Sequence, residues 1–248
     1  IKLYLNILFL QMCQISSWYI NNHYYILQMS NFFKETDIDT SQAEAIVTET
    51  LKNCDDGELY LENHKSESIV LDDNKIKSST YNSDQGYGFR AVTGEVVAYS
   101  HSNDISKESL RKSSENLKDT LKSKKGTYNH EIPKTNSKYY ENINPIESKT
   151  FDSKIDLLNN VNNYLRSKGS IVNQVTANFL GEHKSIEIIR SDNQVLKDDR
   201  PLVRFNVSVV LEKDGKKETG VYGVGGRQSY DDYLKDGSWK DVCDEAFR

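Results

Sequence analysis

The chain is poor in cysteine, and the three it has, Cys13, Cys54 and Cys243, are odd in number and far apart. No C-x-x-C pair occurs, so neither a zinc knuckle nor a disulfide framework is indicated, and a reducing cytoplasm is the expected setting. An excess of basic charge is also missing. Thirty-two Lys and Arg face 37 Asp and Glu, for a net charge of −5. Nucleic-acid binding needs a clustered basic surface, and Lys122, Lys124 and Lys125 among Ser and Gly read as a solvated loop. No uninterrupted apolar run of membrane-spanning length occurs. The one candidate, residues 1–28, is broken by Asn6, Gln11, Gln14, Asn21, Asn22 and His23.

That opening stretch differs from the rest, because Lys2 is its sole charged residue and no small-x-small cleavage site follows. Residues 1–28 are therefore expected to be upstream sequence translated in frame, with Met29 as the start. From Met29 onward, charge density is ordinary for a folded α+β domain.

Hydrophobic periodicity predicts helix then strands, twice. Ala43, Ile46, Val47 and Leu51 mark one helix face, with Ser41 and Glu44 as its expected capping box. Strands are predicted over Glu58–His64, Ser66–Asp72, Lys75–Tyr81, Gly86–Val92 and Glu95–Ser100, with turns at Asp73-Asn74 and Thr93-Gly94. Ser106 caps a second helix carrying Leu110, Leu117 and Leu121. Residues 124–150 lack periodicity and read as a linker between a unit at 29–123 and a unit at 151–248. In the second unit, Ile155, Leu158, Val161 and Leu165 stripe a helix over Asp152–Lys168. Ile171–Leu180 and Lys184–Ser191 are expected as a strand pair about Gly181-Glu182. Leu202–Leu211 and Glu218–Val224 form a hairpin across Asp214-Gly215. Trp239, Val242, Cys243 and Ala246 stripe a last helix that reaches Arg248 without a stop signal. The expectation is a polypeptide cut inside that helix, with its apolar stripe uncovered. The fold class is α+β: antiparallel meanders with flanking helices in two sequential units.

No familiar catalytic arrangement is complete. His130-Glu131 opens like a zinc-binding H-E-x-x-H, but Pro133 and Lys134 stand where a helix and a second histidine are needed. Gly86, Gly88 and Ala91 have the spacing of a dinucleotide fingerprint. That motif needs a following helix, and here more strand follows, so close backbone approach within a sheet is the better reading. Gly223, Gly225, Gly226 and Arg227 form a glycine cluster that reads as a strand-ending loop with a surface arginine before it reads as a site in which Arg227 pairs with a carboxylate. Arg200 and Arg204 share a side if extended, a pattern suited to ion pairing. Asp72-Asp73 reads as an acidic turn before it reads as a metal pair.

Two blocks, Ser66–Ser106 and Asp198–Arg227, together resemble the N-terminal region of the TldD/PmbA family, in its TldD branch. The resemblance runs from about Met29 to Arg248. It implies a metallopeptidase subunit whose zinc lies on an H-E-x-x-x-H helix in a separate C-terminal domain, a PmbA-type partner subunit, and short or unfolded peptides as substrates. No such motif occurs in these 248 residues, so no metal ligand or catalytic residue carries over, and no cofactor is assigned to this chain. What carries over is scaffold, including Gly86, Gly88, Arg90, Arg200, Arg204, Gly225, Gly226 and Arg227, with roles undetermined. The functional expectations are a TldD-type front portion inactive alone, with the missing C-terminal half or a PmbA-type subunit as partner. The alternative is a non-catalytic module that takes peptide by strand addition or docks such a partner.

Overall fold

The computed structural model describes residues 32–122, 125–127, 143–191, 194–234 and 237–248. The 1–28 segment, Cys13, Met29, His130-Glu131, Pro133 and most of the expected linker lie outside the described residues.

Helix α1 (Thr40–Leu51) is capped by Asp39, not Ser41. Asp39 Oδ1 accepts from the Gln42 amide at 2.8 Å, and Gln42 Oε1 accepts from the Asp39 amide at 3.2 Å. Asp39 is still extended while Ser41 is already in the first turn, so only Asp39 can satisfy the free N–H groups at the helix start. Two long strands follow, β1 (Asp56–Asp72) and β2 (Lys75–Thr93), then β3 (Val96–Ser102) and α2 (Lys107–Leu121), capped by Ser106. The second half contributes α3 (Phe151–Ser167), β4 (Val172–Ile189), β5 (Val195–Lys213), β6 (Lys216–Gly226), a short α4 (Asp231–Leu234) and α5 (Ser238–Phe247).

Two of the expected turns are present. Asp73 and Asn74 both have positive φ (48° and 71°), as do Asp214 and Gly215 (51° and 74°), the signature of a two-residue turn whose twist matches its strands. The β2–β3 turn falls one residue later than expected, at Gly94-Glu95. Three expected breaks do not exist. Glu58–His64 joins Ser66–Asp72 in β1, Lys75–Tyr81 joins Gly86–Val92 in β2, and the pair about Gly181-Glu182 is one continuous β4. Gly181 is not a turn residue at all. It lies beneath the Tyr230 ring, whose hydroxyl would stand 2.2 Å from any Cβ added there.

The strands form one antiparallel sheet in the order β3-β2-β1-β4-β5-β6. The two units therefore share a sheet, joined where β1 pairs β4 from Leu59↔Ile189 to Asp72↔Thr176. Side chains alternate between faces, and the described helices cover only one of them. On the covered face Leu59, Leu61, Tyr87, Phe89, Ala91 and Ala98 pack under α1 and α2. Ile69, Leu71, Val175, Phe179, Phe205 and Val209 pack under α3 and α5. Each buried Leu, Ile, Val or Phe side chain among them stabilises by about 1.5–3 kcal/mol, so the two apolar clusters anchor opposite ends of the same long strands.

The last helix corrects one expectation. Its stripe is not uncovered: Val242, Cys243 and Ala246 are buried against the sheet and α3. Burial pushes the Cys243 thiol up to about 12, with Asp244 adding to the shift. The close approach is made possible by Gly220, where an added Cβ would lie 1.8 Å from the Ala246 carbonyl oxygen. Gly220→Ala is therefore expected to displace α5 and destabilise the chain by about 1–3 kcal/mol. Denaturant unfolding combined with protease sensitivity of the C-terminal segment checks this.

Candidate functional site

The face left bare by the described helices carries most of the positions singled out in the sequence. Strand register places Gly86, Gly88 and Arg90 of β2, Arg200 and Arg204 of β5, and Gly225 of β6 all on this side. They share a face without converging on one point.

Arg90 is an inter-strand clamp. Its guanidinium donates to both Glu58 oxygens at 2.7 Å and to Asp56 Oδ2 at 2.6 Å, while Arg190 donates to Asp56 Oδ1 at 2.9 Å. The fork geometry suits arginine and not lysine. Glu58 foremost, with Asp56, raises the Arg90 pKa above its ordinary value despite partial burial. Arg200 pairs with Asp198 at 2.7 Å. Arg204 Nε donates to Asn206 Oδ1 at 2.8 Å, and this amide occupies the space a side chain at Gly223 would need. Arg227 Nη1 lies 3.5 Å from the Pro201 carbonyl. Gly225 would place a Cβ 2.7 Å from the Val203 carbonyl, and Gly226 faces the Gln228 side chain.

Gly86 and Gly88 do more than permit a close approach. They floor a groove of about 340 Å3 on the bare face, walled by Tyr60, Glu62, His64, Asp84 and Tyr99. Tyr99 lies across Gly88, with its hydroxyl 2.5 Å from where a Cβ would sit, and Gly86 makes room for the chain at Ser102 and Asn103. Tyr60 donates to Glu62 Oε2 at 2.5 Å, and Lys184 lies 3.1 Å from Glu62 Oε1. Burial opposes ionisation of Glu62, but these two donors outweigh it and lower its pKa. Burial, reinforced by Glu62, raises the Tyr60 phenol. His64 Nε2 stands 3.6 Å from Glu182, within ion-pair reach but too far for a hydrogen bond. Among the described residues nothing pairs with Asp84. Sequence reasoning found the glycines and missed Tyr60, Glu62, Asp84 and Tyr99. Their convergence depends on register.

A second polar zone runs across the middle of the covered face, between the two apolar clusters. Lys154, 2% exposed, donates to Glu67 Oε1 at 2.6 Å and to the Ile146 carbonyl at 2.8 Å, and lies 5.1 Å from the Tyr230 ring centroid. Burial, with Glu67 adding to it, raises the Tyr230 phenol. Nearby, Lys65 pairs with Glu147 at 2.6 Å and Lys197 with the buried Glu187 at 3.0 Å. His183 Nε2 is 3.6 Å from Asp199, and Ser185 Oγ donates to that same carboxylate at 2.6 Å. Desolvation lowers the His183 pKa. This is not an activated nucleophile. The serine proton points to Asp199, and a Ser–His hydrogen bond, which the chemistry requires, is not made.

The acidic turn is likewise occupied by protein donors. Asp72 accepts from Gln174 at 2.7 Å and from Thr176 and Lys77 at 3.0 Å, which hold its pKa down at about 2. Asp73 accepts from Arg166. Among the described residues no group of three or more His, Cys, Asp or Glu side chains can hold a metal ion. His64 and His183 project from opposite faces, as the pairings His64↔Lys184 and Lys65↔His183 require. No helix among the described residues is long and apolar enough to cross a membrane.

The arrangement defines an α+β sheet scaffold with one helix-covered face and one grooved face. Comparison with known proteins gives its family. Residues 57–122 match the family model described as PmbA/TldA metallopeptidase domain 1, and residues 144–248 match the PmbA/TldA metallopeptidase central domain. A metalloprotease TldD homolog from Buchnera aphidicola (subspecies Acyrthosiphon pisum) is 35% identical over 193 residues, covering 77% of this chain and 40% of the relative. The metalloprotease TldD homolog of Haemophilus influenzae is 34% identical over 186 residues, covering 73% and 38%. Among solved structures, a proposed modulator of DNA gyrase from Bacteroides thetaiotaomicron superposes with a TM-score of 0.62 at 13% identity, over 85% of this chain and 50% of that one. TldE from Thermococcus kodakarensis superposes with a TM-score of 0.59 at 11% identity, over 83% and 46%. The chain belongs to the PmbA/TldD metallopeptidase family. It spans about 40% of the length of the curated relatives it matches. The family name implies a metal, and the described residues do not fit one.

Two outcomes follow from the geometry. In a double-mutant cycle, Arg90→Met and Glu58→Met should show a coupling of about 1 kcal/mol, the upper end for a partly exposed but bidentate pair; urea titrations of the four proteins check it. Asp72 has a folded-state pKa below that of the unfolded chain. Its contribution is therefore present above about pH 4 and lost as pH falls towards 2. Thermal melts between pH 5 and pH 2 should fall less steeply for Asp72→Asn than for the unmodified chain.

Proposed function

We propose that this chain is the front scaffold of a TldD-type zinc metallopeptidase, inactive by itself. In this reading the zinc-bearing segment, on a further stretch of polypeptide, hydrolyses short or unfolded peptides, and a PmbA-type subunit pairs with the assembled protein in the cytoplasm. The observation that carries the reading is the order of the two family matches on one continuous sheet. The domain 1 and central-domain segments occur in sequence, and the β1–β4 seam holds them as a unit. The share of the relatives' length covered supports a catalytic centre supplied by a further stretch of polypeptide. Buried thiols at Cys54 and Cys243 are compatible with a reducing compartment.

The purified chain should retain no stoichiometric zinc and show no chelator-sensitive cleavage of unstructured peptides. Addition of the C-terminal portion of a full-length TldD homolog should restore both. Bound zinc together with chelator-sensitive peptidase activity from this chain alone would overturn the proposal.

A further inference from the structure

The groove over Gly86 and Gly88 has an unusual combination of features for a sheet surface. The aromatic rings of Tyr60 and Tyr99 line it beside the two glycines, and its other side chains are polar, with Glu62 and Asp84 the acidic ones. Three carboxylates, Glu62, Asp84 and Glu182, stand in or beside it against one ammonium, Lys184, which is already committed to Glu62 at 3.1 Å. The flanking cations are neutralised as well: Arg90 by Glu58 and Asp56, and Arg200 by Asp198. That leaves Asp84, exposed at the rim, without a protein partner among the described residues. Tyr99 is 64% exposed, and its ring is held across Gly88, where a larger residue would displace it.

We propose that this groove binds the cationic side chain of an arginine or lysine in an extended peptide. The apolar stem would lie against the Tyr60 and Tyr99 rings, and the guanidinium or ammonium would reach Asp84. Three physical matches carry the assignment. A cavity of about 340 Å3 is at the lower end of ligand-site volumes, suited to one long side chain and not to a large ligand. Tyrosine faces attract cations through the ring quadrupole. An unpaired carboxylate at the rim of the groove favours a positive head group and disfavours a neutral or anionic one. Binding is read here without cleavage, so its failure leaves the metallopeptidase reading untouched.

The test uses the full chain with Nα-acetyl-arginine amide and Nα-acetyl-lysine amide as probes. Nα-acetyl-norleucine amide, similar in length but uncharged, is the control. Calorimetric titration gives affinity, and amide chemical shifts at Gly86 and Gly88 give location. The cationic probes should saturate, shift those two amides, and bind about tenfold more tightly than norleucine, the sum of one partly exposed ion pair and one cation–π contact. Asp84→Asn should weaken only the cationic probes, by about two- to fivefold. Asp84 is exposed and unpartnered, so the fold should survive the change. Tyr99→Leu should weaken them independently. Equal affinity for charged and neutral probes, no saturation up to about 10 mM, or unchanged cation binding in both variants would overturn the proposal.

Discussion

Everything in this structure hangs on the pairing of β1 with β4. The two strands are more than a hundred residues apart in sequence, yet they run antiparallel in unbroken register from Leu59↔Ile189 to Asp72↔Thr176. Each is also paired on its other side, β1 with β2 and β4 with β5. Without the seam there would be two small sheets, each with an open edge rich in unpaired N–H and C=O groups. With it, the domain 1 and central-domain segments become a single sheet, and both the bare face and the covered face acquire a continuous surface.

The seam has an apolar cluster at each end and a polar centre. Leu59 and Leu61 belong to the first cluster, Ile69 and Leu71 to the second, and Lys65 and Glu67 lie between them on the same face. Polar residues at the centre of a covered face are tolerable only if they are paired. Lys154 and Glu67 satisfy one another, with the Ile146 carbonyl taking a further Lys154 proton. Removing one partner from such a pair leaves an uncompensated buried charge, whereas replacing both with apolar groups is often close to neutral. The pair is thus better understood as fixing how α3 sits over the sheet than as a large net source of stability.

This polar centre also explains which parts of the fold were legible in the sequence. The Asp73-Asn74 and Asp214-Gly215 turns were readable because positive φ at both positions demands those residue types. Strand ends carrying alternating Leu, Ile and Val were readable too. The strand middles were not. Asn82–Gln85, Lys65 and Gly181-Glu182 have the composition of loops, and only their position between two apolar clusters on one sheet keeps them extended. The bare-face positions behaved similarly. Gly86, Gly88 and Arg90 stood out locally. The residues that give them meaning, Tyr60, Glu62 and Tyr99 for the glycines, and Glu58, Asp56 and Arg190 for the arginine, come from other strands, and one sequence does not supply register. The apolar face of α5 was legible as a stripe, but its cover was not, because the docking surface is a bare glycine backbone at Gly220.

The long reach of the seam has a consequence for how the protein is made. When β1 and β2 have formed their hairpin, β1 still presents one free edge, and its partner residues are more than a hundred positions further along the chain. At a synthesis rate of about 5–20 residues per second, that edge waits about 5–20 s for β4 to emerge. Contacts of such sequence separation also close slowly once both strands are available. The nascent first half therefore spends its early life as an unfinished sheet on the ribosome. Charged and polar residues along β1, Glu62, His64, Lys65 and Glu67 among them, keep that waiting edge from being a purely hydrophobic template for neighbouring chains.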